Sequence, residues 1–277
     1  MAETVLSLEK VSKRFGTNEV LRDVTFSLKK GECSALTGLN GSGKTTLLKL
    51  AAGLTRVSSG LVRTPDGIRI AYIPDSFPRP AVSARSLLRR LGRIEGMAAA
   101  MLEQRINELL NAFNLLSDAD NALNTHSKGM LQKVCVIQAL LGTSDVLLLD
   151  EPLSGQDAAS QETFIHKTKS LLSSGSAVLL ACHEPYLINA LADTVFELGG
   201  GTLRPAQAPP ADGEDIYVFD LPHEGFLIPQ GYEVFLRVRQ EGSVALVYCR
   251  HGSGNDMLKK MLAAGCSLKE MRHEKNG

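Results

Sequence analysis

The sequence predicts an α/β domain with a mainly parallel central sheet, followed by a small α+β appendage. Val146-Leu147-Leu148-Leu149 and Ala177-Val178-Leu179-Leu180-Ala181 are short unbroken apolar runs, as expected of strands covered on both faces. Helical segments at about 157–173 and 185–192 lie between and after them, and such alternation favours a parallel sheet. Another short apolar segment, Ser34-Ala35-Leu36-Thr37, enters a Gly-rich loop and then an apolar helix at 44–53.

In chain order, residues 4–8 and 20–28 read as strands. Val20, Val24, Phe26 and Leu28 help form an alternating apolar face, and Lys30-Gly31 makes the turn that follows. A polar, partly helical region at about 81–123 carries Arg85, Arg89, Arg90 and Arg93, which read as a solvated helix face. A further helix spans about 129–142, ahead of the first apolar run. Composition then changes at Pro205-Ala206-Gln207-Ala208-Pro209-Pro210-Ala211-Asp212-Gly213, a polar, Pro-rich stretch that reads as a linker. Beyond it come strands near 216–220, 233–238 and 244–248, a helix near 255–264 and a last strand near 266–271. The expected organisation is therefore a domain over 1–205, a linker over 206–213 and an accessory domain over 214–277.

Composition bounds the function. The 277 residues carry 30 Lys+Arg against 30 Asp+Glu, which removes the case for a basic nucleic-acid-binding surface. Five scattered cysteines, an odd number without a CxxC pair, argue against a disulfide framework or zinc site and for reduced thiols. No basic start with an apolar run marks a signal peptide, and no segment approaches the ~20 apolar residues that span a bilayer. Work at a membrane would require another chain.

Gly38-Leu39-Asn40-Gly41-Ser42-Gly43-Lys44-Thr45, followed by Thr46, fits the phosphate-binding pattern GxxxxGK[ST]. Glycines let the backbone curl close to phosphate, so that N–H groups and the next helix N-terminus face anionic oxygens. Lys44 adds positive charge toward the β/γ-phosphates, and the Thr45 hydroxyl can ligate Mg2+. Val146-Leu147-Leu148-Leu149-Asp150-Glu151 ends a strand in two carboxylates, where open α/β sheets bind ligands. Asp150 would hold Mg2+ through water, and Glu151 would act as general base or orienter for the attacking water.

With these in place, the chain over about 4–204 resembles the ATP-binding-cassette (ABC) ATPases. Ser127-Lys128-Gly129-Met130-Leu131-Gln132 resembles their signature sequence, Ser154-Gly155-Gln156-Asp157 their D-loop, and His183 their switch histidine. Phe15, before Gly16, matches the aromatic that stacks on adenine, where Tyr is more usual. The resemblance implies an antiparallel β subdomain and a helical subdomain beside the sheet. It also implies a homodimer or heterodimer of cassettes that closes over ATP and Mg2+. Ser127, Lys128, Gly129 and Met130 would contact the nucleotide of the opposite subunit, with Asp157 coupling the two sites. His183 would bind the γ-phosphate and help position the water.

The family's Q-loop glutamine is replaced: Ala71-Tyr72-Ile73-Pro74-Asp75 places an aspartate there, expected to offer oxygen to the metal. His126 reads as a surface residue. Together with the S-K-G-M signature and the appendage, Asp75 resembles the ATPases of bacterial exporters. The implied function is ATP hydrolysis energising export through an integral membrane permease, with the chain cytoplasmic and peripheral on the inner face of the membrane. No nucleic acid is expected as a partner. A soluble ABC ATPase such as an assembly scaffold is the alternative, and a degenerate cassette that binds ATP without hydrolysis is a third reading.

Overall fold

The computed structural model describes residues 3–153, 156–208, 214–223, 226, 228, 235–250 and 255–274. The chain divides into two units, Met1–Ala208 and Pro209–Gly277. Ser154, Gly155 and the linker positions 209–213 lie outside the described residues.

The first unit begins with β1 (Thr4–Phe15), β2 (Asn18–Lys29), β3 (Cys33–Thr37), α1 (Lys44–Ala51), β4 (Ser59–Arg63) and β5 (Ile70–Ile73). Helices α2 (Ala84–Ile94), α3 (Ala99–Ala112) and α4 (Lys128–Leu141) follow. The unit ends with β6 (Val146–Asp150), α5 (Ala158–Ser173), β7 (Ala177–Ala181), α6 (Pro185–Leu191), β8 (Thr194–Gly199) and β9 (Thr202–Ala206).

Six strands form the central sheet in the order β5-β6-β7-β3-β8-β9. Its pairings are parallel except β8 with β9. Every residue of β6 and β7 is buried, because the sheet is covered on both faces. Alternation sorts the side chains between two cores. Leu147, Leu149, Val178 and Leu180 join the side built with α4 and α5. Val146, Leu148, Leu179 and Ala181 join the other, built with α1 and β1–β2. A second sheet, antiparallel in the order β2-β1-β4, supplies the inner face of that core. In β2 the expected alternation holds at Val24, Phe26 and Leu28, which are buried between exposed neighbours.

The second unit contains β10 (Glu214–Asp220), β11 (Phe235–Glu241), β12 (Val244–Arg250), α7 (Asn255–Ala263) and β13 (Ser267–Glu274). Its sheet is antiparallel, in the order β11-β12-β10-β13. Met257 and Met261 of α7 pack with Tyr217, Phe219, Val247 and Cys249 of one sheet face.

Three details depart from the sequence reading. Strands β4, β8 and β9 had no counterpart in it. Strand β9 runs through Pro205 into Ala206, which composition assigns to the start of a linker; it is an edge strand, where proline's missing N–H costs no sheet bond. His126 is not at the surface but 3% exposed, with Nδ1 lying 3.1 Å from the Ala122 carbonyl oxygen. It immediately precedes the N-cap of α4, the position where helices commonly seat a packed side chain.

Leu148→Ala removes a fully buried side chain from the middle of β6. It should cost about 2–5 kcal/mol, seen as a lower urea midpoint with an unchanged m value.

Candidate functional site

The residues of interest follow the carboxyl ends of four neighbouring or near-neighbouring parallel strands, β3, β5, β6 and β7. That edge is where loops of an open α/β sheet meet ligands.

After β3 the chain turns through Gly38 at φ 136, and a Cβ there would lie 2.3 Å from the Leu198 carbonyl oxygen. Only glycine fits that conformation and approach. Gly43, at φ 107, is the N-cap of α1, so the loop delivers Lys44 and Thr45 onto the helix start. The Ser42 hydroxyl oxygen is buried with no hydrogen-bond partner among the described residues. Lys44 is 7% exposed, and its Nζ donates to the carbonyls of Gly38 at 2.7 Å and Leu39 at 3.3 Å. Burial lowers its pKa, while the charges of Glu151 and Asp150 act in the opposite direction.

Asp150, the last residue of β6, is 2% exposed and accepts hydrogen bonds from Thr45 and from Tyr72 Oη, the latter at 3.3 Å. Burial raises its pKa against those two bonds. The next residue, Glu151, sits at φ 48 and donates its N–H to the Ala181 carbonyl at 2.8 Å, which pins the turn to the end of β7. Burial, and then the Glu184 charge, push the Glu151 carboxyl up to about 7. His183 follows β7 and Cys182. Its Nε2 lies 3.1 Å from Lys44 Nζ, 3.1 Å from Asn40 Oδ1 and 3.3 Å from Glu151 Oε1. Burial and the Lys44 charge hold its pKa down, favouring the neutral ring. A cavity of about 440 Å3 opens here, lined by Thr37, Gly38, Leu39, Asn40, His183 and Glu197.

The structure therefore brings together the Gly38–Thr45 loop, Asp150, Glu151 and His183. The other expected residues have different neighbours. Phe15 ends β1 half exposed, with Lys13 Nζ 4.6 Å from its ring centroid, a cation–π contact. Ser127 is the N-cap of α4, its Oγ accepting from the Met130 N–H at 3.2 Å. Gly129 and Met130 complete that first turn. Lys128 Nζ is 3.9 Å from Asp75 Oδ1, just beyond β5. Asp157 caps α5, accepting from the Ser160 N–H at 2.9 Å, and pairs with Lys133 of α4. Burial disfavours the Asp157 anion, but the bonds from Lys133 and Ser160 prevail and hold its carboxyl down at about 2.

Two residues of this neighbourhood were missed in the sequence. Tyr72 is one; it pairs with Leu148 of the adjacent strand, two residues before Asp150, a register that the sequence alone does not reveal. Gln132 is the other. It is 1% exposed, and its Nε2 donates to the carbonyls of Pro74 at 3.2 Å and Glu151 at 3.4 Å. Its place one helical turn after Lys128, on the same face of the helix, was its signal.

The family model described as ABC transporter matches residues 21–154. The Nod factor export ATP-binding protein I of Ralstonia nicotianae is 30% identical over 267 residues, covering 89% of this chain and 82% of that protein. The protein of the same name from Cupriavidus pinatubonensis is 32% identical over 71% of this chain, which spans 64% of that relative's length. The zinc import ATP-binding protein ZnuC of Jannaschia sp. is 31% identical, over 71% of this chain and 80% of its own. Among solved structures, an ATP-binding subunit of an ABC transporter superposes with a TM-score of 0.68 at 28% identity, covering 73% of this chain and 90% of that one.

Asp157→Ala should cost about 1–2 kcal/mol through the lost helix cap. Because the carboxyl is held at about 2 against an ordinary 3.8, its contribution is fully present above about pH 4 and fades as pH falls through about 2. Urea melts of wild type and variant should therefore differ by a constant amount from pH 8 to 5 and converge below pH 4.

Proposed function

The chain belongs to the family of ABC transporter ATP-binding proteins, and from that premise we propose that it hydrolyses ATP at the Lys44–Glu151–His183 cluster to drive a separate membrane permease. The observation that carries the reading is the convergence of Lys44, Glu151 and the His183 ring at the mouth of the Gly38–Thr45 loop.

The cluster fits a polyphosphate on three counts. A glycine occupies the close approach at position 38, the buried Ser42 hydroxyl has no partner among the described residues, and a buried ammonium stands at the loop's centre. Successive N–H groups from Gly38 through Thr46 would hold the phosphates, with Leu39, Asn40, Gly41 and Gly43 contributing backbone rather than side chain. On binding, Lys44 exchanges its carbonyl partners for phosphate oxygens. Phe15 offers the ring face not taken by Lys13 to adenine. Thr45 and Asp150, already hydrogen-bonded to each other, present the hard oxygens that suit Mg2+. Bound there, the metal supplies neutralising charge to the phosphates.

Glu151 would take a proton from the attacking water. Its carboxyl, held at about 7, lies near the working pH at which a general base is most effective. His183 would donate to, and orient, the terminal phosphate. The N-terminus of α4 (Ser127, Lys128, Gly129 and Met130) would grip the same phosphate from a second cassette, since helix starts attract anions. Asp157, joined to Lys133 of that helix, would link the two sites. Asp75 contributes negative charge that reaches Asp150 and Glu151.

No helix among the described residues is long and apolar enough to cross a membrane, so coupling to transport needs permease subunits, with the chain lying on the cytoplasmic face. Export is favoured by the relatives named for Nod factor export, against one named for zinc import. The balanced charge supports the absence of a nucleic-acid partner.

Glu151→Gln should retain ATP binding and lower turnover by about 10²-fold or more, trapping an ATP-bound dimer visible by size-exclusion chromatography. Turnover at the wild-type rate would remove Glu151 as the base. Lys44→Ala should weaken nucleotide binding itself, read by titration of a fluorescent ATP analogue. Co-purification with a polytopic membrane protein would support the transport half of the proposal, and stable association with soluble partners alone would overturn it.

A further inference from the structure

Asp75 stands where the family that the sequence resembles carries glutamine, and Lys128 lies within the S-K-G-M form of its signature. The fold places them against each other, Lys128 Nζ 3.9 Å from Asp75 Oδ1. Lys128 is the first residue of α4, and the first turn of that helix contains no acidic side chain. A cation there is electrostatically misplaced, because unsatisfied N–H groups already make a helix N-terminus positive. Asp75 supplies the missing negative charge from another element.

An isolated, half-exposed ion pair contributes little, since two mobile side chains must be held in one geometry. This pair is not isolated. Lys128 and Gln132 are four residues apart, hence on one face of α4. The buried Gln132 amide donates to the Pro74 carbonyl, one residue before Asp75, and also to the Glu151 carbonyl. The segment Pro74–Asp75 is thus held against α4 at two successive turns, one contact buried and neutral, the other exposed and ionic. The buried bond fixes the backbone from which Asp75 reaches out, so less freedom is lost when the ion pair forms.

We propose that Asp75 is a positioning residue for the start of α4: through Lys128 it clamps the signature turn to the loop after β5, with Gln132 as the fixed hinge point that joins both to Glu151. The clamp belongs to the single chain and requires neither nucleotide nor metal. Its effect on turnover rests on the ATPase reading above, whereas its effect on backbone protection does not.

Hydrogen exchange of residues 127–132 in the whole nucleotide-free, Mg2+-free protein tests the first part. The isosteric change Asp75→Asn should speed exchange there about two- to fivefold, the range an exposed charged pair can supply. The charge-exchanged variant Asp75→Lys/Lys128→Glu should restore protection, and 0.5 M KCl should reduce the difference. Exchange unchanged in Asp75→Asn, or unrescued by the exchange of charges, would overturn the clamp even if wild type hydrolyses ATP normally. The second part is a double-mutant cycle on steady-state turnover with Asp75→Asn and Lys128→Met. The combined variant should be about two- to fivefold more active than the product of the two single losses predicts. Simple multiplication of those losses would refute it. Absence of hydrolysis in wild type would instead sink the ATPase reading and leave the exchange result to decide the clamp.

Discussion

A nearly buried ammonium organises the site. Lys44 has lost most of its water, and what offsets that loss is a ring of carbonyl oxygens, one imidazole nitrogen and two carboxylates at the end of β6. Each compensating group comes from a different stretch of sequence, so the ion fixes their mutual placement. The carbonyls of Gly38 and Leu39 can turn inward only because the loop backbone leaves the region open to ordinary residues. The imidazole reaches Lys44 because β7 lies between β3 and β6, and the turn at Glu151 is tied to the end of β7. The carbonyls of Gly38 and Leu39 are neutral acceptors, and phosphate oxygens would be stronger partners for the same ammonium.

Around this centre, buried strands and helix caps divide the expected residues between them. β6 and β7 are sealed between two apolar cores, and their ends carry Asp150, Glu151 and His183 to fixed points. The pieces that would answer to a second subunit, Ser127 and Asp157, are instead helix caps. Caps sit at the boundary between a stiff element and a loop, and both of these are joined to α4, directly or through Lys133. Under the proposed function, hydrolysis chemistry and subunit communication would thus be carried by different kinds of structure.

Much of this was legible in the sequence because its signals are local. The unbroken runs at 146–149 and 177–181 read as covered strands, and the spacing at 38–45 fits a phosphate-binding loop. The five elements of the second unit fall close to where alternation and turn residues put them. What escaped was set by tertiary neighbours. Tyr72 gains its role only from the adjacent strand, Gln132 only from a segment almost sixty residues earlier, and His126 is buried by a helix start that polarity alone does not reveal. Strand β9 hid behind prolines, which look like linker until an edge strand accepts one.

Gly43 has a wider reach than its place in the loop suggests. A Cβ there would come within 3.0 Å of a Val20 methyl and 3.1 Å of a Leu21 methyl. These residues belong to the hairpin whose tip presents Phe15. The absent side chain therefore works as a spacer of zero thickness: the phosphate cradle and the aromatic platform stand at a separation set by direct abutment of loop on strand. In the proposed nucleotide site, a methyl at this position, already strained by φ 107, would push apart the two ends that would hold phosphate and adenine.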